Sequence, residues 1–304
     1  MPWTCRHCES INDQKDRACN VCDTVRTMPS HPHHHRITAG HGHVFVLHAD
    51  NGLIPLTEFN SKQLRIMADY PLLESISAGV THAVGITSFG QIFEWDQAYC
   101  FLYNNVPDAI KDADVLSVAA GIKHTLMLTT AGTVHAWGEN DAGQCNVPQK
   151  LPNIIAIAAG FHSVALTAAG VIIEWGVSDV PVTHAHKTSP FVSIAAGRDH
   201  TLGLTAAGTV HGWGHNDAGQ IDIPPALRDV VLIAAGGNHS LAVTGDGRVQ
   251  AWGENACGQT TVPKDLANVV EIAAGFESSM ARMADDTVVF WGQTYTISPE
   301  CTHS

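Results

Sequence analysis

Four cysteines fall within the first 22 residues, Cys5, Cys8, Cys19 and Cys22, spaced C-x2-C-x10-C-x2-C. Each C-x2-C pair can form a knuckle with two thiolates on one side of a tight turn. Two facing knuckles supply the tetrahedral S4 set of a structural zinc site. So short a segment cannot bury a core of its own, so metal binding would supply its folding free energy. Disulfides and a redox C-x-x-C are the alternatives. The opening residues MPWTCRHCES hold no apolar signal core, which argues against disulfides. A redox pair would need no second copy. One structural Zn2+ is therefore expected, while Cys100, Cys145, Cys257 and Cys301 show no pair spacing and read as free thiols of a reducing compartment.

Around these cysteines, Trp3 and Asn12 complete W-x-C-x2-C-x3-N-x6-C-x2-C. The pattern resembles the zinc finger of the Ran-binding nucleoporin type over residues 1–26. That resemblance implies a recognition module for ubiquitin, Ran or single-stranded RNA. Glu9 and Ser10 stand where ubiquitin-binding members carry a Thr-aromatic pair. Asp13, Lys15 and Asp16 replace the stacking Trp and paired Arg of the RNA-binding members. Trp3, Asn12, Lys15, Arg17 and Asn20 are the finger's candidate ligand-binding residues, with a protein ligand ahead of RNA. Residues 27–36, TMPSHPHHHR, read as a flexible His-rich linker without a metal site.

A second chemistry-bearing set recurs along the chain. His43, His82, His124, His162, His200 and His239 each follow an Ala-Gly landmark, and Ser278 takes that place in the last copy. Pairs such as His162–Ser163 suggest nucleophilic catalysis, yet an active site is one asymmetric constellation. A residue placed once per repeat does the same structural work each time. Burial and bonding to backbone are the expected fate of these imidazoles. No H-E-x-x-H, G-x-S-x-G or phosphate-binding Gly-Lys-Ser/Thr loop occurs, so an enzyme is not expected.

The elements that position them repeat at intervals of 37–42 residues, marked by Gly40, Gly79, Gly121, Gly160, Gly197, Gly236 and Gly275. Within each copy, short β-rich runs alternate with turn signals, and four strands per copy are expected. Seven such copies can close on themselves and remove exposed sheet edges. The expected fold is all-β: a seven-bladed β-propeller over residues 37–304, preceded by the small four-cysteine finger. Trp95, Trp137, Trp175, Trp213, Trp252 and Trp291 should pack between blades. The pattern AAG-x-x-H-[ST]-x-A-L-T-x-x-G-x-V-x-x-W-G-x-N-x-x-G-Q resembles the regulator of chromosome condensation repeat. Its GQ-x-x-x-P tails, Gly143–Pro148, Gly219–Pro224 and Gly258–Pro263, are most similar to a compact bacterial branch that includes β-lactamase inhibitor propellers.

Recognition is expected where the repeat varies. Tyr99, Phe101 and Tyr103 follow the second copy's Trp-Asp and form either an outer strand or an exposed anchor. The tips after each Ala-Gly differ freely and supply Lys123, Arg198, Asp199, Asn238, Phe276 and Glu277. These tips should share one face, with the Glu139–Asn140, His215–Asn216 and Glu254–Asn255 turns on their own side. The chain holds 16 Lys/Arg and 29 Asp/Glu, a net charge of −13. Such acidity disfavours DNA and favours a basic protein partner.

These observations describe a non-catalytic protein-interaction protein, with a propeller face and the finger as tethered contacts. The family resemblances raise an exchange factor or regulator for a Ran-like small GTPase as the alternative. The short, even copies lack an insertion to wedge into a nucleotide site. An RNA- or ribosome-associated role through the finger and a hydrolase inhibitor are further alternatives. A bacterial effector delivered into a host cell would reconcile the two resemblances. A monomer of cytoplasmic or nuclear location is expected, with no transmembrane segment, signal or transit peptide. Cys301-Thr302-His303-Ser304 has the outline of a prenylation box, but Thr-His is a poor centre for one.

Overall fold

The computed structural model describes residues 36–41, 44–47, 73–87, 89–96, 106–176, 182–186 and 188–293, with the backbone of 3–4, 11–12 and 53–55. Near the N-terminus, Trp3–Thr4 pairs antiparallel with Ile11–Asn12, Trp3 opposite Asn12. Cys5, Cys8, Cys19, Cys22, Lys15, Arg17, Asn20, His43, Tyr99, Phe101, Tyr103, Cys301 and the linker up to residue 35 lie outside the described residues.

From Arg36 onward the chain forms seven antiparallel sheets in sequence order, one per repeat. Blade 1 comprises Ile37–Ala39, Val44–Leu47 and Leu53–Pro55. The inner strands that open blades 2 to 7 are Leu73–Ala78, Val115–Ala120, Ile154–Ala159, Phe191–Ala196, Val230–Ala235 and Val269–Ala274. Each runs up to the Ala-Gly landmark beside the central channel. The middle strand descends, a short turn reverses it, and the outer strand climbs to Trp-Gly. No helix among the described residues is long and apolar enough to cross a membrane.

Two expectations need correction. Among the described residues only blade 4 has a fourth strand, Val182–Ala185, rather than every blade. The GQ-x-x-x-P tails fold as turns because side chains capture the backbone donors a strand would need. Asn140 Oδ1 accepts from Cys145 N at 2.8 Å, and Gln144 Oε1 accepts from Ala142 N at 3.0 Å. Asn216 with Gln220 and Asn255 with Gln259 repeat this arrangement. Secondly, the Glu139, His215 and Glu254 turns share the upper face with the Ala-Gly tips. Their amides donate to Lys123 O, Asp199 O and Asn238 O. Three antiparallel strands make this unavoidable, since the first and third both end at the same level.

The core lies in the seams between blades. Leu126 and Leu128 of blade 3 pack with Ala165, Ile173 and Trp175 of blade 4, and Leu241 and Val243 of blade 6 with Ala281 and Trp291 of blade 7. Each fully buried aliphatic of this kind contributes about 1.5–3 kcal/mol. Backbone hydrogen bonds stitch every seam at the upper mouth, including Ile122 N to Gly160 O at 2.9 Å and Arg198 N to Gly236 O at 3.0 Å. Phe276 N donates to Gly40 O at 3.2 Å, joining blade 7 to blade 1 and closing the ring.

Candidate interaction surface

The repeated histidines are structural, but their partner is a hydroxyl rather than the expected backbone group. Among the described residues, the Nε2 of each of these histidines crosses its seam to the residue at the position after the landmark His of the next blade. His82 meets Thr125 at 2.8 Å, His124 meets Ser163 at 2.9 Å and His162 meets Thr201 at 2.7 Å. His200–Ser240 at 3.0 Å and His239–Ser279 at 2.9 Å continue the series. The hydroxyls pass the bond on: Ser163, Ser240 and Ser279 donate to the backbone carbonyls of Gln144, Gln220 and Gln259. Those carbonyls also accept from Trp175, Trp252 and Trp291 Nε1, all at 2.9 Å. The motif's His, Ser/Thr, Trp and Gln are thus one inter-blade fastening.

Burial pushes the imidazoles toward the neutral form: His124 and His239 fall to about 4 and His200 to about 3. Neighbouring histidines add to the effect at His124 and His200. The ring also sits directly on the landmark glycines. A Cβ at Gly121 would stand 2.5 Å from His124 Cε1 and 2.7 Å from Gly160 O. Only glycine lets both groups approach.

Above this recurring frame, the tips differ from blade to blade. Lys123 pairs with Glu139 at 2.9 Å, Arg198 with Asp199 at 3.0 Å, and Asn238 Nδ2 donates to Glu254 at 3.1 Å. The structure therefore brings the predicted Lys123, Arg198, Asp199, Asn238, Phe276 and Glu277 onto one face. Arg198 reaches over the channel mouth, its guanidinium carbon 5.8 Å from the centre of the Phe276 ring two blades away. His41 meets the same ring edge-on at 5.0 Å. The mouth beneath encloses about 60 Å³, lined by alanines, glycines, Val80 and Ile122. One exposed aromatic of this face was not among the predicted residues. Phe161 is 39% exposed in a tip one residue shorter than the others, Gly160-Phe161-His162. That deletion is readable in the sequence.

Segments 115–144, 191–220 and 230–259, in blades 3, 5 and 6, match the family model of the regulator of chromosome condensation (RCC1) repeat. No curated protein sequence matches the chain. Among solved structures, Prp20p from Saccharomyces cerevisiae is similar at a TM-score of 0.61 and 18% identity, over 93% of this chain and 88% of that one. The CRINKLY WD40 ectodomain of the Arabidopsis thaliana receptor kinase ACR4 is similar at 0.64 and 20% identity, over 86% and 96%. Human WBSCR16 is similar at 0.61 and 16% identity, over 80% and 79%. At these identities the likeness carries the fold. The chain is an all-β propeller, and segments of its blades 3, 5 and 6 match the RCC1 repeat.

Proposed function

We propose that the chain is a non-catalytic interaction protein that docks a protein partner on the upper face of its propeller. We assign residues 1–26 as a second recognition unit folded around one zinc ion held by Cys5, Cys8, Cys19 and Cys22. The observation that carries the docking surface is the contrast between a fastening that recurs from seam to seam and tips that change charge and bulk in every blade. The His–hydroxyl pairs support a non-catalytic reading, because both partners are committed to the seams. The pairing of Trp3–Thr4 with Ile11–Asn12 supports the finger, since the six residues between them include Cys5 and Cys8. Affinity capture with the intact chain and with a Phe161→Ser/Arg198→Glu variant tests the face. A set of proteins held by the first and lost by the second is expected, and equal retention by both would place the contact elsewhere.

A second reading is regulation of a Ran-like small GTPase. It is favoured by the likeness to Prp20p, a protein characterised for its binding to Gsp1p and histones. Acceleration of nucleotide release from a Ran-type GTPase by the purified chain would promote this reading, and unchanged release would dismiss it. The same capture with ribonuclease added separates an RNA-associated role through the finger.

A further inference from the structure

The rim of the upper mouth spends its backbone donors on itself. The amide that follows each landmark glycine donates across the seam, as His41 N does to Gly79 O at 3.3 Å, Val80 N to Gly121 O at 3.3 Å and Gly237 N to Gly275 O at 3.1 Å. Blade 4 departs from this pattern. Its short tip sends Phe161 N to Arg198 O at 2.8 Å rather than to Gly197 O, so the Gly197 carbonyl takes no tip amide. A backbone site for an anion needs free N–H groups. At this rim a ligand must bring the donors itself.

The side chains around the rim carry the matching sign. Tips and neighbouring turns hold Glu139, Asp141, Asp199, Asp217, Glu254 and Glu277 against Lys123 and Arg198. Glu139 already holds Lys123, Asp199 holds Arg198, and Asp217 meets His215 at 3.2 Å. Asp141, Glu254 and Glu277 form no ion pair with a Lys or Arg among the described residues. Glu254 and Glu277 act on the same neighbour: burial, then the charges of Glu277 and Glu254, push the Cys257 thiol up. Inside this acidic surround the mouth is apolar. Phe161 is exposed there, and Val80, Ile122 and Phe276 are half-buried. Phe276 also carries the Arg198 guanidinium over its ring, so a cation on an aromatic face is a contact this mouth already makes.

We infer that the upper face takes a cationic segment of a protein partner, one apolar side chain of which seats between Phe161 and Ile122 while flanking Lys or Arg residues meet Asp141, Glu254 and Glu277. The inference rests on the docking reading above and adds the partner's charge and its anchor. Lys and Arg bring donors to a rim of carboxylates and carbonyls, and the apolar residue covers the mouth. Nucleic acid and acidic peptides meet repulsion on the same surface.

The test is fluorescence anisotropy of the full chain with labelled synthetic peptides. One is a Lys/Arg peptide with a single central Leu, one has Ser in place of that Leu, and one is a Glu/Asp peptide that keeps the Leu. The Lys/Arg–Leu peptide should bind, its Ser counterpart several-fold more weakly, and the acidic peptide not at all. Glu254→Lys/Glu277→Lys should weaken the first peptide by about tenfold or more at low salt, and by less as salt rises. Phe161→Ser should weaken it several-fold and erase the preference for Leu over Ser. Asp112→Lys/Asp229→Lys, a reversal of exposed acids at the lower ends of blades 3 and 6, should leave it unchanged. No binding of the Lys/Arg peptide, binding of the acidic one, or equal losses from the upper and lower reversals would each overturn the inference. If it is overturned while the Phe161→Ser/Arg198→Glu chain still loses its captured proteins, the docking reading stands with a partner of other chemistry. Capture indifferent to that variant removes both.

Discussion

Glu94 accepts hydrogen bonds from Thr125 Oγ1 at 2.7 Å and Trp137 Nε1 at 2.8 Å, both on the next blade. One seam later, the backbone carbonyl of Gln144 receives the corresponding Ser163 and Trp175 donors. Blade 2 has Asp96 after its Trp and no Gly-Gln tail, so a buried carboxylate supplies the acceptor that the tail supplies elsewhere. Blade 4 lacks the tail as well and also carries Glu before its Trp. There Glu174 pairs with His184 of the fourth strand at 2.9 Å, and His184 stacks on Trp213 at 4.4 Å.

Glu94→Ala should therefore strand two buried donors and destabilise the propeller by roughly 2–4 kcal/mol. Glu94→Gln keeps a carbonyl acceptor in place and should cost under about 1 kcal/mol by the same reasoning. Urea unfolding of the two variants checks the difference. Equal losses would show that the charge, not the acceptor, is what the seam requires.

Acid should loosen the ring. The folded pKa values of His124, His200 and His239 lie below the ordinary histidine value of 6.5, so the unfolded chain binds protons first as pH falls. Stability from these groups is complete above about pH 6.5 and declines toward pH 4, by an upper limit of about 3 kcal/mol per histidine. A urea midpoint that stays level between neutral pH and pH 5 would refute this.

Close approach at the landmark glycines makes them intolerant of a methyl group. Gly121→Ala must displace His124 or the Gly160 carbonyl and should cost about 1–3 kcal/mol or more. Gly245→Ala is the control, because a Cβ there has nothing nearer than Asp229 O at 3.7 Å. Thermal unfolding of the pair should separate them by several degrees.

Removal of zinc should leave the propeller intact. Mass spectrometry under native conditions is expected to find one Zn2+ per chain, lost in Cys5→Ser/Cys8→Ser, with the main unfolding transition unmoved. A metal-free wild-type chain would remove the basis for the finger.

Much of this architecture is legible in the repeat itself. The spacing of Gly40 to Gly275 marks the blades, and the recurrence of His and Trp marks groups doing identical work. Their partners are less legible, because each lies on the next blade, some 40 residues away: His124 and Ser163 are 39 apart. Period alone says that such residues are equivalent, not that one copy's His closes on the next copy's Ser. That blades 3, 5 and 6 have no fourth strand among the described residues is hidden for a local reason, since Asn140 and Gln144, with their counterparts, bind backbone donors that composition would assign to a ladder. The place of the tips on one face is legible because variation against a recurring frame is visible in a single chain. The register shift between Ile154 and Ala156 is not, because an apolar pair such as Ile154–Ile155 reads as continuous strand whichever residue turns outward.

Arg36 N donates to Glu271 Oε1 at 2.8 Å, a bond between the first and last blades that bears on how the ring is made as well as how it is held. Those residues are 235 apart in sequence, whereas the fastenings between other blades join residues about 40 apart. Neighbouring blades can therefore assemble by short-range steps, while the last contact must bring together the two extremes of the chain at greater entropic cost. Ser278 and Val44 leave this joint without the His–hydroxyl fastening, and the Glu271 bonds, the Phe276 N–Gly40 O bond and the packing of Ile37 and Val44 with Met280 hold it instead. Closure should be the slow step of folding, and the same joint should be the first to open when the native ring breathes.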